Sequence, residues 1–275
     1  MDAHGLIDSL FGAPRALIGV VHTRGLPGTP SAAGSIAEIV DRAVAEARLY
    51  ASAGFHGVAV ENTHDRPYLK RVVGPEIVAA MTAVGVEIRR AISLPIGVQV
   101  LAGANESALA VAHACGAAFI RVEGFVFAHV ADEGLIESSA GALLRYRRAI
   151  GAEAIRIFAD VKKKHSAHAL TADVDLAETA KAAEFFLADG VIVTGTSTGR
   201  PADPAELRAV AAAVSIPTLI GSGITADNLS DYSEADALIV GSSVKDGGVW
   251  SGSLDESRTR ALARAFQAAR AAGRR

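Results

Sequence analysis

The sequence predicts an α/β fold, a single (β/α)8 TIM barrel, and three observations predict it. Short β-branched runs alternate with alanine-rich amphipathic ones, eight of each, which is the pattern of a parallel sheet with crossover helices. The chain has 275 residues, about what eight such units need. The first strand runs into HTRGLPGTP, which lacks the G-x-G-x-x-G turn that a doubly wound open sheet would normally carry there. No linker or low-complexity segment divides the chain. Residues 1–275 therefore read as one domain, with 1–14 as a lead-in and 246–254 as a loop before the last helix.

The elements follow in order. ALIGVVH (16–22) is apolar almost throughout, as a strand buried on both faces must be. Ser35 followed by Glu38 reads as a capping box that opens a helix over 35–53. GVAVEN (57–62) is the second strand, with a helix over 74–92. PIGVQVL (95–101) is the third, and Asn105 before Glu106 caps a helix over 105–115. AFIRVE (118–123) is the fourth. The stretch GFVFAHVADEGLIE (124–137) that follows it is long for a strand-to-helix connection and apolar in its first half, which suits a lid or an interface. A helix over 138–150 leads to the fifth strand, AIRIFADV (154–161), and its helix over 173–188. GVIVTG (190–195), PTLIGS (217–222) and ALIVGS (237–242) complete the strands, with helices over 203–213 and 225–232 between them. Asp255 before Glu256 caps the last helix, 255–272.

Half the residues are hydrophobic, enough for a substantial core. Lysines and arginines number 27 against 30 acidic residues, so the net charge of −3 implies no nucleic-acid partner. The one cysteine, Cys115, excludes an intrachain disulfide framework, suits a reducing cytoplasm and reads as a buried, inert thiol. MDAHGLIDSLFG lacks a basic lead, so no signal peptide is expected, and no apolar run is long enough to span a bilayer. The expected location is cytoplasmic.

Alternation along the strands assigns side chains to faces. In IRIFADVK, Ile155, Ile157, Ala159 and Val161 should pack on helices, and Phe158, Asp160 and Lys162 should point inward. The same parity turns Arg121, Glu123, Glu61 and Gln99 inward, all near C-terminal strand ends. Charges are costly in a dry core, so this ring needs water, mutual pairing or a ligand. Active sites of this fold sit at that mouth. The alternative is a self-satisfied salt-bridge layer, Arg121 with Glu123 or Glu61. Arg156 shares the inward parity but sits near its strand's start, as a structural plug would. Of the three lysines in DVKKKHS, Lys163 is expected to meet solvent.

A second signal lies after the last two strands. Gly221-Ser222-Gly223 and Gly241-Ser242-Ser243 are glycine-containing turns at the place where phosphate sites of such barrels are frequently built. Asn62 and Thr194, at the ends of the second and sixth strands, join them as candidate binding residues.

GVVHTRGLPGTP, VAVENTHDRPY, IFADVKKKHS, VTGTSTG, IGSGITADN and IVGSSVKDGG fall in the order and spacing of the BtpA/SgcQ family, which the chain resembles from about Arg15 to Phe266. The resemblance implies a ribulose-phosphate-binding-like barrel. Cyanobacterial members are implicated in photosystem I biogenesis or stability, and enteric members sit among sugar-metabolism genes and have been described as nucleosidases. The family's fifth-strand motif resembles A-D-V-H-x-K-H. This chain keeps Asp160, Lys164 and His165 but has Lys162 in the first histidine's place.

The first function expected is an enzyme acting by acid/base chemistry on a small phosphorylated, sugar-phosphate-like metabolite, as a lyase, an isomerase or a nucleosidase. Asp160 is the leading candidate as general base or as the orienter of a neighbouring group. Lys162 or Lys164 could neutralise an oxyanion or form a Schiff base. His165, Glu61 and His22 complete the catalytic candidates, while His64, His129 and His168 read as ordinary surface residues. No cofactor is expected, although His22, Glu61, Asp160 and His165 could hold a divalent metal. The competing function is a non-catalytic assembly or stability factor. Arg258, Arg260, Arg264, Arg270, Arg274 and Arg275 complement the last helix's dipole, or would serve a peripheral membrane contact. Apolar helix faces leave a homo-oligomer open.

Overall fold

The computed structural model describes residues 3–32, 34–195, 197 and 199–272. A helix α1 (Ala3–Phe11) precedes β1 (Ala16–His22), α2 (Ile36–Ala53), β2 (Gly57–Glu61), α3 (Pro75–Ala91), β3 (Ile96–Gln99), α4 (Asn105–Cys115) and β4 (Phe119–Val122). A small excursion follows, β5 (Ala128–Ala131) and β6 (Gly134–Glu137), and then α5 (Ala140–Ala149), β7 (Arg156–Val161), β8 (Ser166–Ala167) and α6 (Leu176–Phe185). The chain ends with β9 (Gly190–Thr194), α7 (Pro204–Ala213), β10 (Thr218–Gly221), β11 (Ala237–Val240) and α8 (Glu256–Ala272). Strands β1, β2, β3, β4, β7, β9, β10 and β11 pair in that order, all parallel, and β11 closes on β1. This is the (β/α)8 barrel that the alternation predicts.

Parity sorts the core into two shells. Leu17, Val21, Val58, Val60, Ile120, Val122, Ile157 and Ala159 face the helices. Ala16, Ile18, Val20, Ala59, Phe119, Phe158, Ile192 and Ile239 fill the interior. The lead-in does more than lead in: α1 closes the lower end, where Ile7 and Phe11 join the interior cluster and the Phe11 ring meets that of Phe119 at 5.7 Å. The closed end therefore has an apolar plug. Arg156 lies at its edge instead, paired with Asp189 at 3.1 Å. Interior packing is tight at Gly97, where a Cβ would lie 2.0 Å from the Phe119 ring. Gly97→Ala should cost about 1–3 kcal/mol by overpacking. A denaturation midpoint equal to that of the native chain would contradict this packing.

The caps hold with one exception. Ser35 and Glu38 form the reciprocal capping box, and Asp255 accepts from the Arg258 amide at 2.9 Å. Asn105 instead begins α4 with Ala104 as its cap, and its amide ties Glu123 O and Ser139 Oγ together at 2.8 and 2.9 Å. The helix expected over 225–232 is only a 3-10 turn, Leu229–Tyr232. The stretch 124–137 forms the antiparallel hairpin β5–β6, which β8 extends to three strands. On α8, Arg258 and Arg260 pair with Asp255 and Glu256, and Arg270 reaches His56. Arg274 and Arg275 lie outside the described residues. Cys115 is buried, and among the described residues no helix is long and apolar enough to cross a membrane.

Candidate active site

The C-terminal mouth of the barrel holds a cavity of about 410 Å³, within the range of small-molecule sites. Its floor is the inward-facing polar layer. Arg121 Nη1 lies 3.1 Å from Glu61 Oε1, while Nε and Nη2 hold Asp160 at 3.0–3.2 Å. Burial opposes the guanidinium's charge, but Asp160 and Glu61 raise its pKa and keep it charged. Mutual pairing thus satisfies part of the ring. Asp160 does not line the cavity, and its side chain is 1% exposed. That does not suit a free general base. It is Arg121 that Asp160 orients, in place of a histidine or a lysine.

Glu123 is different. Glu123 lines the cavity, yet its Oε2 has no hydrogen-bond partner among the described residues, and Lys163 Nζ approaches only to 3.5 Å. Burial pushes it up to about 7, against the pull of Lys163. Glu123 is therefore a carboxyl poised to carry a proton at neutral pH.

His22, at the end of β1, lines the same cavity. Its Nδ1 is 3.0 Å from the Trp250 carbonyl, which can only accept, so Nδ1 carries the hydrogen and Nε2 is bare. A Cβ at inward-facing Gly241 would lie 3.3 Å from Nε2, which places that nitrogen on the cavity side. Burial, and then the charge of Lys245, hold the imidazole well below its ordinary pKa. His22 is neutral and can accept a proton.

The end of β7 departs from the expected parity. Lys162 takes a left-handed conformation, φ 52°, which turns the chain and swaps the faces of the residues that follow. Lys162 Nζ then donates to Val174 O at 2.6 Å, away from the main cavity. Lys163, expected in solvent, is buried between Glu123 and Glu133. Burial alone would lower its pKa, but the two carboxylates raise it. The one departure from the resembled motif thus falls outside the cavity. Lys164 and His165 do line it, and β8, paired with β5, holds them over the mouth.

The expected phosphate loops converge with Lys164. Its Nζ donates to Ser222 Oγ at 3.1 Å, and partial burial and then Arg121 lower its pKa. Ser222 and Gly223 both have positive φ, 74° and 66°. At Ser222, which unlike glycine pays for that conformation, such strain is of the kind that concentrates at functional sites. Only glycine fits at 223, because a Cβ would lie 2.3 Å from Pro201 N. The amides of Gly223 and Ile224 donate to no acceptor among the described residues, and the buried Ser243 Oγ has no partner either. Ser222, Gly223, Gly241, Ser242 and Ser243 all line the cavity. Gly221 packs beneath them against Thr194, whose Oγ1 has no partner among the described residues and does not reach the cavity.

The remaining candidates divide. Gln99 and Glu61 line the floor. Asn62 does not. Its amide accepts from Leu101 N and donates to Asp65, so it shapes the loop after β2. His129, expected on the surface, is buried against His168 with its ring nitrogen Nε2 unpartnered. Among the described residues no group of three or more His, Cys, Asp or Glu is placed to hold a metal ion. His22, Glu61, Asp160 and His165 do not form such a set. Sequence reasoning missed Lys163, Thr63, Arg66, Tyr68 and Trp250, which all line the cavity from loops where strand parity gives no direction.

Comparison with known proteins gives this geometry a context. The family model described as "BtpA family" matches residues 13–268. A mitochondrial protein of Caenorhabditis elegans is 46% identical over 259 residues, covering 92% of this chain and 94% of its own. The photosystem I biogenesis protein BtpA of Synechocystis is 37% identical over 258 residues, covering 93% and 89%. Among solved structures, phosphoribosyl anthranilate isomerase from Thermus thermophilus aligns with a TM-score of 0.57 at 15% identity, covering 92% of this chain and 98% of that one. The corresponding isomerase of Pyrococcus furiosus gives 0.54 at 12%, covering 92% and 100%. At such identities these likenesses concern the fold alone.

Proposed function

This chain belongs to the BtpA family, and on that premise we propose that it is an enzyme that holds a small phosphorylated substrate and moves protons on it. The observation that carries the reading is the meeting, in one cavity, of a bare imidazole nitrogen, a carboxyl poised near neutrality and a phosphate-shaped end. Ser222, Ser243, Lys164 and the amides of Gly223 and Ile224, which meet no acceptor among the described residues, supply donors and positive charge for a phosphate. His22 Nε2 takes a proton from the substrate as general base, and Glu123, protonated, returns one as general acid. Lys164 stands beside any oxyanion that develops. The polar floor of Glu61, Arg121 and Gln99 meets hydroxyl groups. Such a two-group transfer is the chemistry of an isomerase or a lyase, and side chains alone supply it. The single buried cysteine suits a reducing compartment such as the cytoplasm.

The relative named for photosystem I biogenesis points to the competing reading, a binding module without catalysis. A scaffold has no need of a neutral histidine and a raised carboxyl on one cavity.

Ser222→Asp is the direct test of the phosphate end. Aspartate tolerates a positive φ, so the fold should persist while the like charge repels phosphate. Affinity for inorganic phosphate and ribose 5-phosphate, measured by calorimetry, should fall by about 100-fold or more. A native chain that binds neither would remove the basis of the reading.

A further inference from the structure

The loop after β2, THDRPY, is built with more care than the phosphate reading requires. Asn62 Nδ2 donates to Asp65 Oδ2 at 2.9 Å, and the Leu26 amide donates to Asp65 Oδ1 at 2.7 Å. Tyr68 Oη donates to Thr63 O at 2.7 Å. These bonds occupy the loop's one carboxylate and turn it away from the mouth. What the loop presents to the cavity is Thr63, Arg66 and Tyr68.

Arg66 is held in place. Its guanidinium lies 4.7 Å from the centre of the Trp250 indole, which also lines the cavity from the loop after β11. A guanidinium over an aromatic face is held by cation–π attraction, which uses none of its N–H groups and leaves them available to a carboxylate or a phosphate. Arg66 has no ion-pair partner among the described residues. Thr63 Oγ1, on the same loop, is buried and has no hydrogen-bond partner among the described residues. Cations gather on one side of this corner: His64, packed 4.9 Å from the Trp250 ring, is lowered to about 4 by burial and then by Arg24, Lys245, Arg66 and Arg42, whereas Tyr68 feels Glu61, Glu123 and Glu133. Of the acids that line the cavity elsewhere, Glu133 pairs with Lys163 and Glu61 with Arg121.

We propose that Arg66, braced by Trp250 and joined by Thr63, is a second anion-binding subsite, so that the substrate carries another acidic group besides its phosphate. This rests on the phosphate reading above and goes further, because it names the substrate class: a phosphorylated polyhydroxy compound with a second phosphate or a carboxylate. The chemistry the subsite recognises is common to both groups.

Three probes of similar size separate the possibilities: ribose 5-phosphate, ribulose 1,5-bisphosphate and 6-phosphogluconate. Calorimetry on the native chain should find the bisphosphate or the phosphogluconate bound at least about tenfold more tightly than ribose 5-phosphate. Whichever gains more identifies the second group as phosphate or carboxylate. In Arg66→Ala that advantage should vanish, with ribose 5-phosphate binding unchanged. Arg66→Lys should keep only part of it, because a lysine cannot make the bidentate contact. Equal binding of all three to the native chain would overturn the second subsite and leave the phosphate reading standing. So would an Arg66→Ala variant, folded by its melting profile, that retains the advantage or weakens all three alike. Binding of none of the three to the native chain would overturn both.

Discussion

Replacing Arg121 by methionine is expected to destabilise the protein by about 3–5 kcal/mol, the cost of leaving buried charges without a counter-ion. The guanidinium sits between Asp160 and Glu61, and all three residues are at most 7% exposed. Removing it strands two carboxylates in the barrel's interior. Asp160→Asn should cost less, because the amide oxygen can still accept from Arg121 and Glu61 still balances the charge. Urea titration of the two variants checks this order. An Arg121→Met variant within 1 kcal/mol of the native chain would mean that water already solvates the layer. The layer's role is then to hold the floor of the cavity rigid and charged, with chemistry left to the groups above it.

Glu123→Gln should affect activity and stability in opposite senses. As general acid, Glu123 is expected to contribute about 10²–10⁴-fold to kcat, and its loss should remove the pH limb near 7 from the rate profile. The carboxyl's folded pKa of about 7 lies above the ordinary value near 4.5, so the folded state retains a proton that the unfolded state has lost between those pH values. Stability therefore falls as pH rises from about 4.5 to 7. Glutamine carries no such charge. The variant should match the native chain near pH 4 and exceed it by on the order of 3 kcal/mol at pH 8. Denaturation at both pH values checks it. A variant less stable at pH 8 would place the ionised form of Glu123 as the preferred partner of Lys163.

Much of the molecule was legible from periodicity. Strand alternation placed Arg121, Glu123, Glu61 and Gln99 inward, because a buried parallel strand leaves a side chain only two directions. It failed one residue beyond β7. The left-handed turn at Lys162 has no signature in a lysine, so Lys162 and Lys163 exchange places. The helix α1 is not legible in the sequence, because its apolar residues, Ile7 and Phe11, gain a reason to be buried only when a barrel end needs closing. The Arg66–Trp250 pair joins residues 184 positions apart in the sequence (250 − 66) on two loops. Nothing local marks that contact. The glycine-containing turns after β10 and β11 were legible as a pair, since their position in this fold gives them meaning that neither has alone. Asp160 shows the limit of such reasoning. Parity sent it inward correctly, but whether an inward carboxylate is free or clamped depends on a neighbouring strand's side chain.

If the mouth of this barrel is a phosphate-dependent active site, a crystal structure of the protein soaked with ribose 5-phosphate shows it most directly. Density for the phosphate is expected within hydrogen-bond reach of Lys164 Nζ, Ser222 and the Gly223 amide, with the sugar lying towards His22 and Glu123. Phosphate bound elsewhere, or a soaked cavity that holds only solvent, would contradict it.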